Sequence, residues 1–142
     1  MPARKATAIW EKGLKDGRGR FEAASGAFEG RYSFSSRFEE GPGTNPEELL
    51  AAAHAGCFSM ALSLILEKQG KKPEKIETTA TCTVEKEGEG FKIKRMELDT
   101  RGVVPGLDAE GFRKAAEQAK EGCPVSGALK GNLEFVLKAN LS

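Results

Sequence analysis

Between Leu49 and Leu66 the chain reads LLAAAHAGCFSMALSLIL, eighteen residues without a single charge. The run has a well-marked start. Asn45 suits an N-cap, Pro46 the first helical position, and Glu48 the third position of a capping box. Eighteen apolar residues touch the lower limit for a membrane span. His54, Gly56, Ser59 and Ser63 interrupt this one, and no second hydrophobic segment accompanies it. The expectation is therefore a helix buried in protein, with no membrane partner. A helix that is apolar all round must be covered all round. The strands of a small chain cover one side, so the other face calls for a second helix and another subunit, most simply in a two-fold dimer.

The rest of the chain predicts strands and one further helix. With 142 residues it has the length of one domain, expected to span 1–142. Lys5–Glu11, Phe21–Ala24 and Phe28–Phe38 read as a three-stranded meander, with an Asp16-Gly17 turn. In the third segment Phe28, Tyr32, Phe34 and Phe38 share one parity, and its last residues border on loop. Ile76–Val84 alternates as a strand, and the parity change between Ile93 and Met96 predicts a bulge in the returning strand. Asp108 caps a second helix carrying Phe112, Ala115, Ala116 and Ala119 on one stripe, and Gly131–Ala139 closes the chain as a strand. The predicted order is β-β-β-α-β-β-α-β, an α+β fold.

The formal charge of +1 excludes a protein built chiefly to bind nucleic acid, which requires clustered excess Lys and Arg. Met1-Pro2-Ala3-Arg4-Lys5-Ala6-Thr7 has no apolar run after its basic residues, which predicts no secretory signal and a cytoplasmic location. Structural disulfides are disfavoured there, so the three cysteines are candidates for chemistry. Cys82 lies on the inward parity of a strand and reads as packing. Cys57 follows Gly56 inside the apolar helix, and Cys123 lies between Gly122 and Pro124 at the end of the second helix. The two could form a cross-helix redox pair if packing brings their Cα atoms within about 7 Å; equally, Cys57 could be a packed core residue.

His54, three residues before Cys57, shares its helix face. A Cys-His dyad or a His54/Cys57/Cys123 metal site is conceivable, although no CxxC or HxxxH spacing supports zinc. A hydrogen-bonded core histidine is the simpler reading. A buried reactive thiol needs a cation to stabilise its thiolate. Arg37, just before the loop feeding the helix, could supply it, and Glu47 in the first turn could hold that Arg by a bidentate pair. Composition alone reads both as solvated surface charges.

The stretch Thr44-Asn45-Pro46-Glu47-Glu48-Leu49-Leu50, then Ala52-Ala53-His54-Ala55-Gly56-Cys57-Phe58-Ser59-Met60-Ala61-Leu62, and later Gly122-Cys123-Pro124-Val125-Ser126, closely resembles the osmotically inducible protein C (OsmC) family. The likeness covers essentially the whole chain and favours the OsmC branch over the related organic hydroperoxide resistance proteins, which typically carry Tyr near the position of His54. It implies antiparallel sheets wrapped around two central helices in an intertwined homodimer. It also implies a thiol-dependent peroxidase of the oxidative and osmotic stress response, reducing organic hydroperoxides and, less efficiently, hydrogen peroxide. By this resemblance Cys57 matches the peroxidatic cysteine, Cys123 the resolving one, Arg37 the activating arginine and Glu47 its carboxylate partner. An external thiol or dithiol would regenerate the enzyme, and no metal, haem or flavin is required. The alternatives are a non-enzymatic dimer with packing cysteines, or the metal site. Glu47 and Cys57 stand ten positions apart, about 15 Å of rise on a straight helix. Either the helix is interrupted between them, or Arg37 and Glu47 serve the thiol of the other subunit.

Overall fold

The computed structural model describes residues 2–142. The chain forms two compact units that divide between Leu49 and Leu50.

In the first unit β1 (Ala6–Glu11), β2 (Arg18–Ala23) and β3 (Glu29–Tyr32) make an antiparallel sheet in the order β1-β2-β3. The register sets Trp10 opposite Gly19 and Gly19 opposite Tyr32. Tyr32 stacks on Phe21 with centroids 3.9 Å apart and tilts against Trp10 at 5.2 Å. A Cβ at Gly19 would drive into the rings of both Tyr32 and Trp10, so the missing side chain permits this aromatic cluster.

The meander is shorter than its alternation suggests. β3 ends at Tyr32, and Phe34–Phe38 is a short helix, α1, instead of the end of a strand. The reason is local. Ser33 caps the turn: Ser36 N donates to Ser33 Oγ (3.1 Å) while Ser33 N donates to Ser36 Oγ (2.8 Å), a capping box with serine at both positions. Phe34 and Phe38, four residues apart, then meet on one helical face, centroids 5.1 Å apart.

Helix α2 (Pro46–Lys68) begins where expected. Asn45 Oδ1 accepts from Glu48 N at 2.8 Å, and Asn45 Nδ2 donates to Ser36 O at 2.9 Å. Glu48 does not complete the box; its carboxylate accepts from Thr44 Oγ1 at 2.6 Å. The helix runs without interruption to Lys68.

In the second unit β4 (Lys75–Glu87), β5 (Gly90–Val103) and β6 (Glu134–Leu141) form a sheet in that order. Thr83 pairs with Arg95 and Val84 with Ile93, so Lys94 is the extra residue of a bulge lying between Ile93 and Met96, as the parity change predicts. Strand β6 runs parallel to β5, which corrects the expectation of antiparallel sheets throughout. A parallel neighbour needs a long crossover, and α3 (Ala109–Gly122) with α4 (Pro124–Leu129) supplies it. Asp108 Oδ1 accepts from Gly111 N at 2.7 Å and caps α3, whose Phe112, Ala115, Ala116 and Ala119 are buried as expected.

The core joins Phe58, Leu62 and Leu66 of α2, Met96 and Leu98 of β5, and the inner stripe of α3. With His54, the α2 members recur every fourth residue, one face of a helix. Cys82 packs at the margin of this core. The opposite face of α2 is bare in the single chain: Met60 is 76% and Leu64 52% exposed, and a Cβ at Gly56 would meet nothing. The helix is long and apolar enough to cross a membrane by composition alone, yet its buried stripe makes it a core helix on one side.

Candidate active site

Two clusters hold the residues singled out above, one in each unit. In the second unit, α2 presents Cys57 half-buried, one turn beyond the fully buried His54. Helix α3 ends at Gly122 because Pro124 opens a new helix, so Cys123 is not at the entry to a loop but at the junction of two helices. It serves as C-cap of the first and N-cap of the second, and its sulfur accepts from Ser126 N at 3.4 Å.

Packing brings Cys57 and Cys123 together. The two thiols are close enough to bear on each other's ionisation, and the Val125 backbone also reaches the Cys57 sulfur. Burial pushes the Cys57 thiol above its ordinary value; the Val125 contact works against that rise, whereas the neighbouring Cys123 adds to it. As it stands in this unit, the thiol is close to its partner yet disfavoured as a thiolate.

Behind Cys123 lies a residue to which the sequence had attached no role. Ser126 Oγ is 3.1 Å from Cys123 Sγ and 2.7 Å from His54 Nε2. Its position was legible in retrospect: three residues after an N-capping Cys, a side chain returns to the first turn of the helix. The His54 ring rests edge-on against Phe135 at 5.4 Å, and its Nδ1 is buried with no hydrogen-bond partner among the described residues. Burial lowers its pKa, keeping the ring neutral. The core-histidine reading is thus the one the geometry matches. Among the described residues no three His, Cys, Asp or Glu side chains gather as a metal ion would need.

In the first unit Arg37 Nε donates to Glu47 Oε1 at 2.8 Å. The pair is not the solvated one that composition suggests, since the Glu47 side chain is only 7% exposed. Nor is it bidentate: Glu47 Oε2 is buried and has no hydrogen-bond partner among the described residues. Engagement through Nε leaves the outer edge of the guanidinium for another anion or a peroxide oxygen. Arg37 lies over the Phe38 ring at 5.1 Å and borders a cavity of about 220 Å³ with Trp10, Leu14, Tyr32, Phe34 and Phe38. An aromatic pocket with one cation at its wall suits an apolar molecule with a polar reactive end. A larger depression of about 600 Å³ on the same sheet is lined by Arg18, Arg20 and Arg31 and holds no thiol.

Known proteins resemble this chain along most of its length. The family model described as OsmC-like protein matches residues 39–138. Peroxiredoxin OsmC of Escherichia coli (strain K12) is 45% identical over 139 residues, covering 96% of this chain and 97% of the relative. Organic hydroperoxide resistance protein-like 2 of Staphylococcus epidermidis is 35% identical over 100 residues, 68% of each chain. Among solved structures, the organic hydroperoxide resistance protein OhrB of Bacillus subtilis superposes with a TM-score of 0.76 at 27% identity, over 96% of this chain and 98% of its own.

Proposed function

Because the chain belongs to the OsmC-like family, we propose that it is a cysteine-based peroxidase that reduces organic hydroperoxides, as a single-domain cytoplasmic enzyme of the oxidative and osmotic stress response. The observation that carries the reading is the juxtaposition of Cys57 and Cys123, far apart in sequence and neighbours in the fold. The Cys57 thiol gives up its proton and the thiolate attacks the distal peroxide oxygen; the O–O bond breaks, the departing alkoxide takes up one proton in place of the one the thiol released and leaves as the alcohol, and Cys57 becomes a sulfenic acid. Cys123 then attacks the sulfenic sulfur, the S–O bond breaks, and a disulfide and water result. An external thiol or dithiol restores both thiols by exchange. Hydrogen peroxide, lacking an apolar group to fill the aromatic pocket, is the poorer substrate. Thiol chemistry, with the external reductant, accounts for every step, so the cycle calls on no metal, haem or flavin.

Arg37 supplies the cation that the Cys57 thiol lacks in its own unit, and Glu47 holds Arg37 in place. The working unit is a homodimer in which this pair serves the partner's Cys57. Two facts support that: the unbroken α2 puts about 15 Å of rise between Glu47 and Cys57, and the bare face at Gly56, Met60 and Leu64 leaves apolar surface to be covered.

Two experiments test the reading. After one equivalent of cumene hydroperoxide, intact mass should show the loss of two hydrogens, mapped by peptide analysis to Cys57–Cys123; Cys123→Ser should instead gain oxygen at Cys57 and stop after one turnover. An unchanged mass in the parent protein would reject the mechanism. For the dimer, Arg37→Ala and Cys57→Ser are each expected to be inactive alone. Mixed in equal amounts and allowed to exchange subunits, they should regain about a quarter of parent activity, because half the dimers then carry one intact site. No recovery despite verified exchange would place Arg37 and Cys57 in the same subunit.

A further inference from the structure

His54, Ser126 and Cys123 form a fully buried hydrogen-bonded chain. We infer that Ser126 Oγ and His54 Nε2 form a proton relay that deprotonates Cys123 as it attacks the oxidised Cys57. The inference rests on the peroxidase reading above and concerns its second step.

The need is physical. Cys123 is 1%, Ser126 2% and His54 0% exposed, so no bulk water reaches the resolving sulfur to carry its proton away. A thiol attacks as its thiolate, and its proton must go to a group inside the protein. Among the described residues, the bonded route from that sulfur to a base runs from Sγ to Ser126 Oγ at 3.1 Å and from Ser126 Oγ to His54 Nε2 at 2.7 Å. A hydroxyl is both donor and acceptor, so Ser126 can take the thiol proton while passing its own to Nε2. A ring kept neutral by burial offers a lone pair there in the tautomer that carries its proton on Nδ1, the tautomer the relay requires. The product state keeps every bond: the imidazolium donates to Ser126, and Ser126 Oγ–H and N–H both donate to the thiolate. A core role alone leaves His54 Nδ1 without a hydrogen-bond partner among the described residues, a cost that an apolar residue of similar size would not incur.

The step balances without further reagents. The Cys123 thiolate attacks the Cys57 sulfenic sulfur, an S–S bond forms, and the S–O bond breaks. The departing hydroxide is converted to water by the proton held on the imidazolium, which returns His54 to its neutral state. The oxidising equivalent is the one the peroxide has already delivered. Ser126, which touches the reacting sulfur, is a catalytic residue; His54, acting through it, is a positioning and proton-accepting residue.

The test separates the two steps. The reduced protein is mixed with one equivalent of cumene hydroperoxide, quenched at intervals with dimedone, and weighed intact, so that sulfenic acid and disulfide are counted at once. Ser126→Ala and His54→Gln should form the sulfenic acid as fast as the parent but convert it to disulfide at least about tenfold more slowly. That is a floor below the usual general-base effect of about 10²–10⁴-fold. Ser126→Thr, which keeps the hydroxyl, should restore the rate, a rescue that a purely structural role would not produce. Should His54→Gln fail to fold, the Ser126→Ala and Ser126→Thr pair decides alone, since Ala removes one oxygen atom and little else. Disulfide formation at the parent rate in Ser126→Ala overturns the relay and leaves the peroxidase intact. Absence of any dimedone adduct or disulfide in the parent overturns the peroxidase reading instead.

Discussion

Replacing Cys57 by Ser should lower peroxide consumption by roughly three orders of magnitude or more, the scale on which enzymes lose activity with their nucleophile. The substitution changes one atom in a half-buried site on a long helix, so the fold has little reason to respond. The chemistry does. A hydroxyl is far less acidic than a thiol, and oxygen cannot take up the oxidising equivalent that sulfur stores as a sulfenic acid. Cys82 and Cys123 remain in the variant, but Cys82 sits at the margin of the core and Cys123 is sealed within it. Neither replaces Cys57 as an accessible nucleophile. The measurement is consumption of cumene hydroperoxide in the presence of dithiothreitol, against a protein-free control. Activity above a tenth of the parent value would show that the oxygen atom is transferred elsewhere.

Phe112→Ala should give the largest loss of stability, about 3–5 kcal/mol. The ring is fully buried on the inner stripe of α3, against β5. How closely it is packed is shown by Gly102, where a Cβ would come within 2.5 Å of the Phe112 ring. Shortening the side chain removes apolar surface from burial and leaves a cavity that helix and sheet close only partly, because both are held by their own backbone bonds. Against a total of about 5–15 kcal/mol for a domain, that is a large share, with a fall in Tm of roughly 10–20 °C. Urea or thermal unfolding at one fixed protein concentration reads it, since an oligomer's midpoint moves with concentration. A loss under about 1 kcal/mol would mean that Phe112 is not the contact between α3 and the sheet.

The two substitutions bracket the design of the second unit. Phe112 holds α3 against the sheet, and α3 in turn delivers Cys123 to the junction where it meets Cys57. The proposed cycle depends on that anchoring because a disulfide tolerates little error in the position of its sulfurs. A bulge at Lys94, the caps at Asn45 and Asp108, and the alanine stripe of α3 serve the same end: they fix where each element begins, and so which side chains reach the site.

All four of those features are legible in the sequence, for one reason: each is set by residues three or four positions apart or by an alternation of two. Where a local signal competes with another, reading fails. The alternating aromatics after Phe28 promise a longer strand, but the serines at 33 and 36 satisfy each other as a capping box and turn the chain into α1. Where the signal is not local, there is nothing to read. No periodicity tells that β6 runs parallel to β5, or that Glu47 takes Arg37 through a single oxygen.

The chain's own sequence determined where α2 begins and how apolar it is, which faces of α3 and the strands turn inward, and, through its motifs, which family it joins. The tertiary structure alone decided that Cys57 and Cys123 are neighbours, and that His54 meets Ser126 across 72 residues of chain. It also left one face of α2 bare while burying the other. The physical reason is the range of the forces involved. Capping and periodicity act between near neighbours along the backbone, whereas partners far apart in the chain are chosen by how helices and sheet pack, a property of the whole and of no single stretch.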